Sequence, residues 1–351
     1  MIKSKQYVAV FQAILAAALF GISSPVSKFL LEKIPPMIMA ALLYLGAGIG
    51  MLIMSLMKNS KGIKQKEAKI GRKELPFTIG MIALDIAAPI FLMIGLSMTT
   101  ASNASLLNNF EIVATSLIAL LIFKESIGKR LWIAIFFITV SSIILSVADF
   151  SSFSFSIGSI FVLLACICWG FENNCTRMMS LKDPMQIVVI KGLGSGVGSL
   201  IIAFLTKEYV SDIGYIFIAL ILGFFAYGLS IFFYITAQRE LGAARTSAYY
   251  AVAPFIGVGL SLLMYNETIT WNFVIAVILM IFGAYYAAVE KHNHNHTHEI
   301  IKHEHRHNHN DGHHNHTHED FKNGEHSHEH THELIEHTHS HTPDMHHDHS
   351  H

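Results

Sequence analysis

The chain has 351 residues, is 52% hydrophobic and 14% charged, and carries a formal net charge of −1. That sum joins two unlike parts: residues 1–291 hold 21 Lys/Arg, 14 Asp/Glu and no histidine, whereas 292–351 hold 3, 11 and all 23 His. Near-continuous apolar sequence, broken about every 25 residues, excludes a soluble domain, and three cysteines clustered at 166, 168 and 175 exclude a disulfide scaffold.

A bilayer core of ~30 Å takes ~20 apolar residues as a helix. On that ruler the body divides into ten spans: 7–27, 36–57, 76–98, 101–123, 130–148, 157–176, 185–205, 213–236, 242–265 and 271–289. Helices are required because backbone groups in lipid must be satisfied within the segment. A β-barrel would alternate in ~10-residue segments, and these runs do not. The first run continues past Phe20, so no cleavable leader is expected.

Lys and Arg set the orientation. One side collects 17 of them, including seven in 58–75 (Lys58, Lys61, Lys64, Lys66, Lys69, Arg72 and Lys73), and the other side has Lys28, Lys33 and Lys207. Both termini, and with them the histidine tail, are expected on the cytoplasmic side of the cell membrane.

The body repeats itself. Ala16, Phe20, Gly21, Ser27 and Lys28 match Ala165, Trp169, Gly170, Thr176 and Arg177; LGAGIG at 45–50 matches LGSGVG at 193–198; FKESI at 123–127 matches YNETI at 265–269. The expected units are 1–148, 149–291 and the tail, 292–351. Five spans per half is an odd number, so the halves insert with opposite topology. Inverted repeats of this kind are a mark of transporters, with the site near mid-membrane. The fold class expected is an all-α integral membrane protein of ten helices in two inverted five-helix repeats, followed by a disordered C-terminal tail.

LFGISSPVSK (19–28), FKE (123–125), APFIG (253–257) and YNE (265–267) stand in order along residues 7–289. In these motifs and their duplication the chain resembles the drug/metabolite transporter superfamily, specifically its EamA-type ten-helix members. The resemblance implies export of a small metabolite, amino acid or drug-like solute, with protons as a coupling ion. Many members carry an Arg in the second span near the position of Tyr44, so a role for that Arg does not transfer.

Charges inside spans cost ~2.5–3.5 kcal/mol each and usually persist for function. Four stand out: Asp85, Glu111, Glu172 and Lys191. Asp85 and Glu111 sit near the midplane by residue count and are expected to line one cavity with Asn108 and Asn109. Two carboxylates in such a site suit proton exchange or a cationic solute. Glu172 and Lys191 lie at similar depth, which predicts an ion pair, with Asn173 assisting if the pair is a gate. Gly46/Gly50 and Gly194/Gly198 are read as helix-packing faces, and Pro25 and Pro89 as kinks. No catalytic triad, phosphate loop or nucleic-acid motif is evident, so no enzyme activity is expected.

The tail has too few apolar groups to offset chain entropy. THEIIKHEHRH (297–307) recurs as THELIEHTHSH (331–341). Its histidines, His298, His303, His305, His307, His332, His337, His339 and His341, have the His-x-His spacing that suits Zn2+, Ni2+, Co2+ or Cu2+. Two other functions therefore share this sequence: a divalent transition-metal transporter, and a membrane-anchored metal sensor or store without flux.

Overall fold

The computed structural model describes residues 2–60, 70–122, 127–149, 154–179, 182–210, 212–241, 246 and 249–289, and the backbone of 292–298, 302–307, 326–331 and 335–341 in the tail. Among these, nine helices are long and apolar enough to cross a bilayer: α1 (Tyr7–Leu30), α2 (Pro36–Lys58), α3 (Arg72–Met98), α4 (Ala101–Leu121), α5 (Lys129–Ser146), α6 (Ile157–Arg177), α7 (Pro184–Leu205), α8 (Ile213–Ala237) and α10 (Trp271–Ala288). Helix α9 (Ala253–Tyr265) is shorter; its expected start at 242 falls on residues outside the described ones.

Local chemistry sets where several helices begin. Thr100, Ser156, Asp183, Asp212 and Thr270 each accept a hydrogen bond from a backbone N–H two or three residues on, satisfying a donor the helix cannot pair. Large apolar side chains such as Phe11, Leu56, Phe136, Leu205 and Ile221 remain exposed and form the surface for lipid, while Trp271 and Tyr209 sit at span ends.

The packing has the symmetry of the duplication. Helix α2 packs on α7, α5 on α10, α4 on α9, α3 on α6, and α1 on α8. Exchanging the halves turns α3–α6 into α8–α1 and leaves the other three pairs unchanged, as a pseudo-twofold requires. The glycines mark the closest approaches. A Cβ on Gly48 of α2 would lie 2.5 Å from the Leu193 nitrogen of α7, and one on Gly192 would lie 2.4 Å from the Gly48 nitrogen. Gly46 and Gly50 face α8, and Gly194 and Gly198 face Ile82 and Ile86 of α3, which is the same contact in the other half. The packing expected of these glycines is what they do.

Between the halves, β1 (Val147–Asp149) pairs with β2 (Ser154–Phe155). The described backbone of the tail is extended in four segments: β3 (His292–His298), β4 (Lys302–His307), β5 (His326–Thr331) and β6 (Ile335–His341). They pair antiparallel as β3 with β6 and β4 with β5. Strict His-x-His alternation has the period of a strand, which accounts for the extended form.

Candidate functional site

Three helices bring a charge cluster together inside the bundle. Lys191 of α7 lies with its Nζ 3.0 Å from Glu172 Oε1 of α6 and 3.1 Å from Asp85 Oδ2 of α3. Asp85 is fully buried, Glu172 is 1% exposed and Lys191 8%. Tyr44 of α2 donates its hydroxyl to Asp85 Oδ1 at 2.9 Å, and the Trp169 indole donates to that hydroxyl at 3.3 Å. The Thr176 hydroxyl donates to Glu172 one turn away. Two carboxylates share one ammonium, so the fully ionised cluster carries one negative charge in excess, where burial makes charge costly.

The expected Glu172–Lys191 pair is present, and Asp85 completes it. The expected grouping of Asp85 with Glu111 is corrected: Glu111 accepts from Asn173 Nδ2 at 2.7 Å, and Asn173 also reaches Thr115 Oγ1 at 3.2 Å. Asp85 instead bonds to Lys191 of α7 and Tyr44 of α2. The consecutive α6 residues Glu172 and Asn173 point about 100° apart, one toward α3 and α7 and the other toward α4. Asn108 and Asn109 are both buried in α4, where Asn109 Nδ2 bonds to the Leu106 carbonyl at 3.4 Å.

A cavity of about 10 Å³, enough for one water, lies beside the cluster between Tyr44, Lys191, Gly192 and Tyr227. The Tyr44 and Tyr227 rings are 5.4 Å apart, and Ser23 of α1 donates to the Tyr227 hydroxyl at 3.1 Å. Tyr227 stands in a π-helical segment, Phe224–Leu229, inside α8. Such one-turn bulges re-aim side chains and recur at functional sites. Sequence reasoning missed Tyr44, Thr176, Tyr227 and this bulge. Tyr44 had a signal, as the position where the resemblance implies an Arg.

One end of the bundle is closed by two matching devices. After α7, Lys207 takes a left-handed turn (φ 58°), and Glu208 Oε2 then accepts from the N–H groups of Met37 and Ile38, both at 3.0 Å, at the start of α2. After α9, Asn266 takes the same turn (φ 47°), and Glu267 accepts from Ala101 N–H at 2.9 Å, from Ser102 N–H at 3.3 Å and from the Ser102 hydroxyl, at the start of α4. Asn tolerates this backbone well. Tyr265 adds a bond to the Pro25 carbonyl at 2.7 Å. Each contact runs from the second repeat to the first. The motif YNE thus has a physical account: an anchor, a turn and a cap on a positive helix end. At the opposite end Lys182 pairs with Glu74 at 3.3 Å, and Gln186 accepts from Ile70 N–H at 3.0 Å.

Among the described residues no group of three or more His, Cys, Asp or Glu is placed to hold a metal ion. His332 lies outside those residues, and for His298, His303, His305, His307, His337, His339 and His341 only the backbone is described.

Known proteins place the chain. An uncharacterized transporter of Methanothermobacter thermautotrophicus is 27% identical over 293 residues, covering 78% of this chain and 83% of that protein. The uncharacterized transporter YyaM of Bacillus subtilis is 22% identical over 214 residues, covering 57% and 70%. A solved crystal structure shares the fold, with a TM-score of 0.59 at 15% identity over 80% of this chain and 95% of its own. The EamA-like transporter family matches twice, over residues 8–147 and 156–289. With both repeats matched, this multi-pass membrane protein belongs to the EamA-like transporter family.

Proposed function

We propose that this chain is a secondary transporter that exports a small metabolite, amino acid or drug-like solute across the cell membrane, by rocking one repeat against the other. The observation that carries this reading is Lys191 of the second repeat held by Asp85 of the first and Glu172 of the second. An ionic contact that crosses the repeat boundary at depth must break or be remade when the repeats move. The cluster's excess negative charge is balanced by a proton or by the cationic group of a solute, so either can drive the exchange.

With the Lys/Arg-rich loops and both termini on the cytoplasmic side, the Glu208 and Glu267 contacts close the outer end and act as its latch. The double variant Glu208→Ala, Glu267→Ala is expected to favour the outward-open form. A cysteine at Ala104, which is buried in the native chain, should then react at least several-fold faster with a membrane-impermeant maleimide, in a background lacking the three native cysteines. An unchanged labelling rate contradicts the latch.

On this reading the tail collects divalent ions beside the cytoplasmic face. Its backbone register sets His294 opposite His339 and His296 opposite His337, and likewise His303 opposite His330 and His305 opposite His328. The His-x-His spacing of the sequence, at four ligands per tetrahedral site, is what supports metal binding there. Proteoliposomes containing the full chain, or a chain ending at Lys291, test the whole reading with radiolabelled amino acids and Zn2+. Organic-solute flux is expected from both, and Zn2+ binding from the full chain alone. Zn2+ flux that disappears on truncation supports the metal-transporter reading instead. Tight Zn2+ binding with no flux of any solute supports a metal sensor or store.

A further inference from the structure

A second small cavity, also about 10 Å³, lies where α1, α4 and α9 meet. Ser24, Ser105 and Asn108 give it a polar wall, and Gly21, Pro254 and Gly257 close it. No charged side chain lines it. Ser105 Oγ and Asn108 Oδ1 are buried and have no hydrogen-bond partner in the protein. Buried polar atoms without partners are uncommon and call for an explanation.

Each of the three helices has a backbone feature at this point that leaves a carbonyl without its usual helical donor or tightens a turn. Helix α1 keeps helical backbone through Ile22, where Ile22 N–H bonds to the Ala18 carbonyl and Val26 N–H to the Ile22 carbonyl, both at 3.2 Å. Pro25, four residues beyond Gly21, has no N–H to offer the Gly21 carbonyl. Helix α4 is broken between Ala101–Leu107 and Phe110–Leu121. There Asn109 N–H bonds to the Leu106 carbonyl at 3.2 Å, a tight 3₁₀ turn rather than an α turn. Pro254 sits in the first turn of α9 and offers no N–H to the Tyr250 carbonyl.

The glycines show how closely oxygen atoms crowd here. A Cβ on Gly257 would lie 2.7 Å from Ser105 Oγ and 2.9 Å from the Gly21 carbonyl oxygen. A Cβ on Gly21 would lie 2.6 Å from the Ala253 carbonyl oxygen. The site is therefore a set of neutral oxygens, from hydroxyls, an amide and the freed Gly21 carbonyl, around a space the size of one water. Soft or borderline metals prefer nitrogen and sulfur ligands, whereas hard cations take oxygens of this kind. Interrupted helices that meet at mid-membrane are also where unwound carbonyls hold alkali cations.

We propose that the α1–α4–α9 cavity binds one dehydrated Na+ through Ser105 Oγ, Asn108 Oδ1, Ser24 Oγ and the freed Gly21 carbonyl. All four ligands lie on α1 and α4 of the first repeat, and α9 of the second closes the cavity through Pro254 and Gly257, at a point distinct from the Lys191 cluster. Occupancy by Na+ favours the closed arrangement of these three helices.

The experiment uses the full chain purified in lipid nanodiscs and needs no transported solute, so its outcome is separate from that of the export reading. Radiolabelled Na+ binding and the thermal unfolding midpoint are measured in NaCl, KCl and choline chloride at equal ionic strength. Saturable binding of one Na+ per chain is expected, with a midpoint that rises with log [Na+] beyond half-saturation and does not rise with choline. Ser105→Ala and Asn108→Ala, made separately, should each raise the half-saturating Na+ concentration at least tenfold. Equal midpoints in all three salts with no saturable Na+ binding indicate a site for water only and overturn the proposal. Undiminished Na+ binding in both variants overturns the assignment of the ligands. The binding isotherm of the native chain decides the first point even if a variant fails to fold.

Discussion

Lys191→Met is expected to be the most damaging single change in the bundle. It leaves Asp85 and Glu172, both essentially inaccessible to solvent, without their shared cation. Removing one partner of a buried ionic group costs about 3–5 kcal/mol, because the remaining charge is uncompensated. A large fall in the unfolding midpoint should follow, together with loss of transport. The triple variant Lys191→Met, Asp85→Asn, Glu172→Gln removes the charges as a set and should recover most of the stability, since buried ion pairs add little net stability over neutral packing. It should not recover transport. Recovery of both would mean that the cluster is structural alone.

The second large effect is steric. A Cβ on Gly46 would lie 2.1 Å from the Leu220 carbonyl oxygen, and one on Gly223 would lie 2.1 Å from the Leu43 carbonyl oxygen. These are backbone atoms, so α2 and α8 have to separate to admit even a methyl group. Overpacking of this kind costs roughly 1–3 kcal/mol and sometimes more. Gly46→Ala should therefore lower the yield of monodisperse protein and the unfolding midpoint. Gly259→Ala is the control. Nothing lies within 4 Å of its added Cβ, and replacing a helical Gly by Ala gains roughly 0.5–1 kcal/mol. A neutral or raised midpoint is expected there. Equal losses at both positions would contradict the close α2–α8 contact.

The contrast between these two predictions shows what the sequence carries. Spans, their ends and the duplication were legible because each rests on a local property: apolar length, a capping residue or a repeated block. The small-residue faces of α2 and α7 were legible because four-residue spacing puts glycines on one side of a helix. The site was only partly so. Residue counting gave depth, and depth paired Glu172 with Lys191 correctly. Depth also grouped Asp85 with Glu111, and there it failed, because it contains no information on azimuth. Helix α6 takes Glu111 through Asn173 and Asp85's partner Lys191 through Glu172. The four-carbon stem of Lys191 further lets it reach an acid placed deeper by count. Tyr44 and Tyr227 were missed because a buried tyrosine looks like core until its hydroxyl has a partner. The roles of Glu208 and Glu267 were hidden for another reason. Each caps a helix more than 160 residues away in the chain, and only the left-handed turn before it aims it there.

The central claim is that a solute crosses through the polar cluster shared by the two repeats. The most direct test is solute counterflow in proteoliposomes with the native chain and Asp85→Asn, a change that keeps the shape of the side chain and its contact with Tyr44. The account predicts saturable counterflow of an organic solute by the native chain, and loss of that flux in a folded Asp85→Asn protein with an unfolding midpoint near native. Counterflow at the native rate in Asp85→Asn would contradict it.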